Sequence, residues 1–507
     1  MNSVVRWTLV LSLGVLSLLA GCRVGPDYER PETVAETAER FVHADVRGQD
    51  ANDPVLKDCW WKRFGDPVIA DLVTEALKGN NDLKASVARV LQAQAGLAEA
   101  RGRLLPDVSY GLNRNRSKNY FDLGDGGGPI IIRDINTGLP AYEMDAFGGG
   151  GFSSLTTTWS QNISVSYLVD FWGKLRRSKR AAWEEMLASE ANQQAMVNSI
   201  VATVIQARID IATAQRRLAL ARATIESRQQ TFEITERRYR GGLVGPVDVR
   251  LAGASLAAAR AQEPAVELSL ATARHALDVF LGRRPGASAD LPETLPDLPD
   301  LNALPVGVPA ALLDRRPDIR AAEFSLRAGN ERIGASMAQL YPDLTLTGSY
   351  GASSSQWEDI WDRDFEVYSA ITNLAAPIWK GGQIRAQIRA AKARYAELAA
   401  NYAGVVLKAM QEVEDALTSE RLLQKQLKHV QLQCQESRAA EELSRRRYER
   451  GVESILTVLE SERNRRLAEE QLTILKGQLW ATRVGLHLAL GGDWINQEST
   501  DKQMVKK

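Results

Sequence analysis

Cysteine and histidine are scarce in this chain of 507 residues, which holds three of the first and four of the second. Cys59 and Cys434 lie in different segments, so neither a disulfide nor a metal pair is indicated. The histidines are scattered along the chain, at His43, His275, His429 and His487. No serine, cysteine or carboxylate cluster forms a credible active site. We therefore expect no enzyme, no metal and no cofactor.

An excess of charge is also lacking, because 63 lysines and arginines balance 63 aspartates and glutamates. Nothing in this balance implies a nucleic-acid partner. No internal run of 18 apolar residues occurs, so we expect no transmembrane helix in the mature chain. Strands that are apolar only on alternate positions remain possible in a membrane. Proline is absent between Pro140 and Pro246 and after Pro377, which leaves room for very long helices.

The amino terminus has the pattern of a targeting segment. Arg6 precedes an apolar run that ends in Leu-Ala-Gly-Cys at residues 19–22, and this ending resembles the bacterial lipoprotein processing box. We expect residues 1–21 to be removed and Cys22 to carry a diacylglycerol and an N-acyl chain. Arg23, in place of aspartate, favours the outer membrane. The alternative is a plain secretory peptide with an incidental cysteine.

An internal duplication organises the rest of the chain. Residues 173–176 (Gly-Lys-Leu-Arg) return as 382–385 (Gly-Gln-Ile-Arg), and residues 238–242 return as 447–451, 209 positions later in each case. A constant offset of this kind indicates two copies of one structural unit, and it predicts the architecture more firmly than any single motif does.

Upstream the offset is 236, since Pro106-Asp107 returns as Pro342-Asp343. The first copy therefore carries 27 extra residues before residue 173. Glycine clusters at 124–128 and 148–151 predict loops in this insert.

Strands are predicted just after each Pro-Asp pair, where the apolar period becomes two. Val108, Tyr110 and Leu112 alternate with small or polar residues, and the pattern recurs within 107–170 and 343–377. Each predicted strand has roughly ten residues, which is the length that a tilted strand needs to cross a bilayer. One face is apolar and the other is small and polar, as in a membrane β-barrel.

Helices are predicted on both sides of the strands. Residues 66–79 and 82–105 come first, and 174–240 reads as one helix of about 100 Å. Its apolar residues recur every seven positions at Val197, Val204, Ile211, Leu218, Ile225, Phe232 and Tyr239. On spacing alone this fits a coiled-coil seam or the buried face of a bundle helix equally well, and the length of the helix favours the coiled coil.

Each long helix is followed by a glycine turn and a returning helix, at 247–281 and 453–490. Pro264 is expected to kink or break the first returning helix. The second long helix, 383–449, has a rougher seam that Glu420 interrupts.

The resulting organisation is a tether at 22–65, repeat 1 at 66–282, a proline-rich linker at 283–310, repeat 2 at 311–491 and a tail at 492–507. The helical hairpins are 174–281 and 383–490. Four strands cannot close a barrel, and open sheet edges are excluded from lipid. The chain is therefore expected to oligomerise.

Several motifs, in order, resemble the lipoprotein branch of the TolC-like outer-membrane factors. They are 22–28 (Cys-Arg-Val-Gly-Pro-Asp-Tyr), Trp60-Trp61, Asn81-Asp82-Leu83, 315–319 (Arg-Arg-Pro-Asp-Ile) and the two Arg-Tyr-x-x-Gly elements. The resemblance covers nearly the whole chain. It implies a homotrimer in the outer membrane that reaches into the periplasm, with a twelve-stranded β-barrel above a helical tunnel. It also implies an exit duct for small molecules, coupled through a periplasmic adaptor to an inner-membrane transporter of the resistance-nodulation-division type.

The resemblance places a gate at the periplasmic tip, just after each Arg-Tyr-x-x-Gly turn. The candidate gate residues are Glu460, Thr457, Asp248, Arg447, Tyr448 and Arg450. Three copies of Glu460 would form an acidic ring, whereas relatives often have a second carboxylate at the position of Thr457. The alternative for each residue is a solvated charge, and Asp248 is equally well explained as a helix cap.

The turn glycines Gly241, Gly242 and Gly451 are candidate adaptor contacts, because absent side chains let another hairpin approach. The alternative is that these turns simply require a positive φ. Three other functions remain open at this stage: a type I protein secretion duct, a periplasmic adaptor and a non-conducting spacer lipoprotein.

Overall fold

The computed structural model describes most of both repeats. The described residues are 23–38, 40–42, 61, 66–121, 130–133, 140–144, 152–287, 291–292 and 309–492. The signal peptide, Cys22, the glycine clusters of the insert, most of the linker and the tail beyond residue 492 lie outside them. The chain divides into two compact units, one built around the strands and the other around the helices.

The helices are α1 (Val34–Thr37), α2 (Pro67–Gly79), α3 (Asn81–Gly102), α4 (Lys174–Arg240), α5 (Pro246–Leu281), α6 (Ala311–Arg315), α7 (Pro317–Ala338), α8 (Gln383–Glu449) and α9 (Ile455–Ala489). The strands are β1 (Asp107–Phe121), β2 (Ile130–Arg133), β3 (Pro140–Met144), β4 (Phe152–Val169), β5 (Asp343–Ser354) and β6 (Glu366–Ala375). Two short 3-10 turns, Glu358–Trp361 and Arg363–Phe365, join β5 to β6.

The duplication seen in the sequence is repeated in the elements. Helix α7 begins and ends 236 residues after α3, and β5 begins 236 residues after β1. The long helices α4 and α8 both contain 67 residues, and they begin and end 209 residues apart. Equivalent sequence positions in the two repeats therefore occupy equivalent places in the fold.

The strand unit contains one four-stranded antiparallel sheet in the order β1-β4-β5-β6, which leaves β1 and β6 as its edges. The predicted length of roughly ten residues holds for β5 and β6, which have 12 and 10. It is wrong for β1 and β4, which have 15 and 18. The parts of β1 and β4 beyond the predicted segments are mostly polar, with residues such as Asn113, Asn115 and Thr158, so the period-two signal stops while the backbone pairing continues. The insert also contains a short hairpin, β2–β3, that the sequence did not predict.

Two apolar clusters hold the helical unit together. The first joins α2, α4, α5 and α9 around Ile69, Val204 and Leu277. The second joins the end of α9 to α6, α7 and α8. Each fully buried aliphatic side chain contributes roughly 1.5–3 kcal/mol relative to exposure. Together the clusters pack α4, α5, α8 and α9 of the two hairpins against α2, α6 and α7.

The middle of α4 is buried on several sides, at Val201, Val204, Ile205, Ile209 and Ile211. This is the environment of a bundle-core helix rather than a narrow two-helix seam. One 18-residue window of α4 is long and apolar enough to cross a membrane by composition, and more than half of it is buried within the fold. Packing therefore accounts for that window.

Helix α5 runs without interruption through Pro264, so, of the predicted kink or break at this proline, the break does not occur. Pro264 is exposed, and the carbonyl group of residue 260 that lacks its usual donor can face water. Leu256 and Val266 are buried on either side of the proline. Their contacts hold both flanking turns in place.

The N-terminal segment is largely extended, as predicted for a tether, but its residues 27–38 and 40–42 pack within the helical unit. Ala35, in α1, and Phe41 are fully buried in the cluster formed with α7 and α8. Arg30 donates to both carboxylate oxygens of Glu323, at 3.1 and 2.7 Å. These residues therefore form part of the packed structure.

Candidate functional site

The sheet has two chemically distinct faces, because its register aligns like residues across all four strands. One row is Ser109–Ser164–Ser349–Ser369. Its outer pairs are hydrogen-bonded, at 2.9 Å between Ser109 and Ser164 and 2.8 Å between Ser349 and Ser369. Serine hydroxyls that donate and accept along such a row present a polar, uncharged wall.

The opposite face is apolar and aromatic. The next row is Tyr110–Ile163–Tyr350–Tyr368, and all four side chains are largely exposed. An exposed apolar sheet face beside a polar one is the pattern of a membrane barrel, with lipid outside and water inside. The predicted assignment of the two faces agrees with this register.

At the far end of each hairpin, the long helix stops in a glycine turn with the same backbone hydrogen bonds in both repeats. The amide of Gly242 donates to the carbonyl of Tyr239, and that of Gly451 donates to Tyr448. Both glycines have a positive φ, of 71° and 81°. Gly241 does not, so the turn itself requires only Gly242 and Gly451.

The two hairpins of one chain are joined at this tip. Tyr448 is buried, and its hydroxyl donates to Thr235 Oγ1 at 3.2 Å. The guanidinium of Arg238 lies 4.8 Å from the centre of the tyrosine ring and donates to the Tyr448 carbonyl. Ile455 and Val458 complete an apolar cluster around the ring. Tyr448 is thus the predicted gate residue that lies at the junction of the hairpins.

The other predicted gate residues lie on the surface of the tip. Glu460 is exposed and pairs with Arg463 on its own helix at 2.7 Å. Arg447 pairs with Glu453 at 3.2 Å across its own turn. The Thr457 hydroxyl also donates to Glu453, and Arg450 is exposed. Arg447 and Thr457 therefore meet at Glu453, whereas Glu460 pairs with Arg463 instead.

Glu453, which the sequence analysis did not select, organises the second tip. Its pKa is lowered, chiefly because the Ser454 amide donates to the carboxylate and then because Thr457 and Arg447 do so. Asp248 lies in the first turn of α5, three residues after the N-cap Gly245. It therefore does not occupy the cap position, although a carboxylate in the first turn is favoured by the helix dipole.

A buried ionic network above the tip was also missed. Glu462 accepts from Thr231 at 2.6 Å and pairs with Arg445 at 3.2 Å. Arg445 and Arg465 also pair with Glu441, whose pKa is raised mainly because the carboxyl is buried. The sequence did contain a signal for this network. In this part of α4 the buried positions are threonines at helical spacing, whereas the predicted heptad pattern consists of apolar residues.

Three residues of the histidine, cysteine, aspartate or glutamate type do not come together as a metal site anywhere in the described parts of the chain. Within the described residues, the geometry offers instead a sheet with one polar and one apolar face, and a tip at which side-chain contacts join the two hairpins.

The sequence model of outer membrane efflux proteins matches residues 72–283 and 308–492 of this chain. The chain belongs to the outer membrane efflux protein family. The family is one of efflux channels rather than of enzymes, and the resemblance read from the sequence motifs is confirmed.

Curated relatives match over nearly the full length. The outer membrane protein OprJ of Pseudomonas aeruginosa is 32% identical, over 96% of each chain. The pyoverdine export outer membrane protein OpmQ of the same species is 31% identical, over 86% of this chain and 87% of that protein. The toluene efflux pump outer membrane protein TtgF of Pseudomonas putida is 29% identical, over 97% and 98%.

Solved structures show the same fold. The outer-membrane channel OprN has a TM-score of 0.81 at 28% identity, covering 93% of this chain and all of that one. The open state of the MtrE outer membrane channel of Neisseria gonorrhoeae has a TM-score of 0.76 at 27% identity, covering 93% and 98%. The predicted fold class is confirmed: long helical hairpins with four antiparallel strands per chain, as in trimeric outer-membrane efflux channels. The predicted location, an outer-membrane channel that extends into the periplasm, is confirmed as well.

Proposed function

We propose that this efflux channel is closed at its periplasmic tip by the contacts between its own two hairpins, and that a docking partner opens it. The observation that carries the proposal is Tyr448, which is buried between the hairpins and bonded to Thr235 and Arg238. These contacts are few, and a typical hydrogen bond contributes about 1 kcal/mol. A partner that prefers the splayed tip by a few kcal/mol would therefore be sufficient to open it.

The docking partner is proposed to be a periplasmic adaptor that binds the tip turns. Each turn exposes two apolar side chains at equivalent positions, Leu243 and Val247 in the first and Val452 and Leu456 in the second. Exposed apolar side chains beside a tight turn suit the apolar residues of another helical hairpin. Gly241, Gly242 and Gly451 leave room beside them. The inner-membrane member of the assembly is proposed to be a resistance-nodulation-division transporter.

Small molecules are the proposed cargo. The serine face of the sheet presents uniform, uncharged hydroxyl groups, and such a surface suits varied solutes. Relatives are named for toluene efflux and for pyoverdine export, so a common channel architecture accompanies different cargoes. A type I protein secretion duct remains the second candidate, and a non-conducting spacer is disfavoured by the two-faced sheet. Cys22 is proposed to carry the lipid anchor, which liquid chromatography and mass spectrometry of the N-terminal peptide would test.

The closing contacts are tested by planar-bilayer conductance of the purified trimer. Thr235→Val removes the acceptor of the Tyr448 hydroxyl while preserving side-chain shape, and Tyr448→Phe removes the donor. Both variants are expected to conduct several-fold more than wild type, because each weakens the closed tip. Equal conductance in all three proteins would show that the contacts of Tyr448 do not close the channel. No current from any of them would argue for the spacer.

The acidic ring is tested separately with Glu460→Gln. We expect weaker cation selectivity, because three carboxylates would be lost from the constriction. Glu397→Gln is the matched control, since Glu397 is an equally exposed glutamate that pairs with an arginine three residues away on α8. A selectivity change of the same size in both variants would assign the effect to net charge and contradict the ring.

A further inference from the structure

The outward face of β1 changes from apolar to cationic partway along the strand. Val108, Tyr110 and Leu112 are followed, on the same side of the strand, by Arg114, Arg116 and Lys118. The three cationic side chains are exposed. Alternate residues of a strand are roughly 7 Å apart, so the cations form a ladder about 14 Å long.

An aromatic cluster marks the level at which this change occurs. Trp159 lies opposite Arg114 in the register, with the guanidinium 5.0 Å from the indole ring. Trp357 packs edge-on against Trp159 at 4.9 Å, and Trp361 packs against Trp357 at 6.2 Å. Tryptophan collects where a membrane protein passes from hydrocarbon to headgroups. The ladder therefore begins where the lipid-facing apolar surface ends.

The strand ends identify which side of the membrane this is. The first residues of β1 and β5 follow helices α3 and α7, and β4 and β6 lead into the long helices α4 and α8. The helices extend into the periplasm, so the tryptophan end of the sheet faces the outside of the cell. The ladder thus lies at the level of the outer-leaflet headgroups.

We propose that Arg114, Arg116 and Lys118 bind the phosphate groups of the phosphorylated glycolipid of the outer leaflet. Charge complementarity and continuity with the lipid-facing surface both favour this occupant. Within the described sheet, the positions opposite the three cations are Trp159, Thr157 and Leu155, and none of them is a carboxylate. Guanidinium groups bind phosphate through paired N–H donors, and lysine binds it as a point charge.

The alternative occupant is a second copy of the chain. Glu366 lies at the outer end of the opposite sheet edge, β6, and is exposed. If two copies pair β1 with β6, this carboxylate would neutralise part of the ladder. That contact would stabilise the trimer without contributing to lipid binding, so the two occupants give different results.

The test measures binding of lipid A, with both of its phosphates, to the purified trimer in neutral detergent. A basic residue near an anionic lipid surface contributes about fivefold in affinity, so the R114Q/R116Q/K118Q variant should bind about a hundredfold more weakly than wild type. Dephosphorylated lipid A should bind both proteins equally weakly, and inorganic phosphate should not compete at matched concentration. Binding by the wild type should also weaken as salt is raised.

Two variants control for folding and for net charge. R114K/R116K keeps the charge and should retain binding to within a few-fold, and Arg103→Gln removes an exposed cation at the other end of the strands and should bind as wild type. Equal binding of lipid A by wild type and the triple variant would overturn the proposal. So would a loss of trimer stability in the triple variant with lipid affinity unchanged, which would assign the ladder to Glu366 of a second copy. The readout is lipid binding, so it is independent of whether the tip gates conduction.

Discussion

Individual charged residues in this chain are stabilised by partners far away in sequence. Glu323 on α7 accepts from Arg30 of the N-terminal segment, from Tyr28 at 3.3 Å and from Arg327 at 2.6 Å. Burial alone would raise the pKa of this carboxyl, but the hydrogen bonds from Arg30 and Arg327 prevail and lower it. The ionised form of Glu323 therefore fastens the N-terminal segment to the helical unit.

This arrangement predicts that acid releases the N-terminal segment. A carboxylate with a lowered pKa stabilises the folded state above its unfolded pKa, near 4.5, and the stabilisation is lost as pH falls through the lower, folded value. Hydrogen-exchange protection of residues 27–38 should stay constant from pH 8 to 5 and fall below about pH 4. In Glu323→Gln, protection should be weaker at neutral pH and should lose this acid step. An acid step that persists in the variant would assign it to another group.

Glu420 shows which residue-scale features the sequence could not reveal. In the sequence, Glu420 interrupts the heptad pattern of apolar residues along α8. In the structure its side chain is buried, and its carboxylate lies 3.0 Å from the Arg483 guanidinium. The pKa of Glu420 is nevertheless raised, because burial outweighs the attraction of Arg483. The sequence contains both residues, but their pairing depends on how α8 and α9 align, which periodicity does not specify.

At the scale of elements, the turns between helices follow backbone chemistry closely. Gly242 has a φ of 71°, a conformation that residues with a Cβ rarely adopt, whereas Gly241 has no such constraint. A Cβ at Gly241 would lie 3.6 Å from two carbonyl oxygens, which is ordinary contact. The two neighbouring glycines therefore have separable roles.

Gly242→Ala is expected to destabilise the first tip by about 1 kcal/mol, because alanine is strained at positive φ. Gly241→Ala should have a smaller effect or none. Hydrogen exchange of residues 236–250 in the trimer measures both variants. If Gly241→Ala weakens adaptor binding while its exchange matches wild type, then Gly241 is a contact residue. Equal loss of protection in both variants would contradict the distinction drawn from φ.

Element boundaries were predictable where a proline or a glycine ends a helix or a strand. The Pro-Asp pairs mark the first residues of β1 and β5, and the turn glycines mark the ends of α4 and α8. The outer halves of β1 and β4 were not predictable, because residues such as Asn113, Asn115 and Thr158 give no apolar alternation. The break that was one of the two outcomes predicted at Pro264 does not occur, since exposure of the proline and burial of its neighbours outweigh the lost hydrogen bond.

At the scale of the whole molecule, the duplication gives each chain two equivalent hairpins, so a ring of three chains would contain six. Tyr448 is buried against α4 of its own chain, whereas its counterpart Tyr239 is exposed. The counterpart of Arg238, which stacks on Tyr448, is Arg447. In a ring of three chains, Tyr239 of one copy and Arg447 of the next would occupy the equivalent contact.

Cysteine cross-linking tests this equivalence. With Cys59 and Cys434 replaced by serine, the Y239C/R447C variant should form covalent dimers and trimers on treatment with a short bismaleimide cross-linker, because residue 239 of each chain would face residue 447 of the next. The R238C/Y448C variant is the matched control, since its two positions already face each other within one chain. It should cross-link internally and run as a monomer under denaturing conditions. If Y239C/R447C remains monomeric after treatment with the cross-linker, in a trimer that is otherwise intact, the two tyrosines occupy inequivalent sites. The closed tip would then have threefold rather than near-sixfold order.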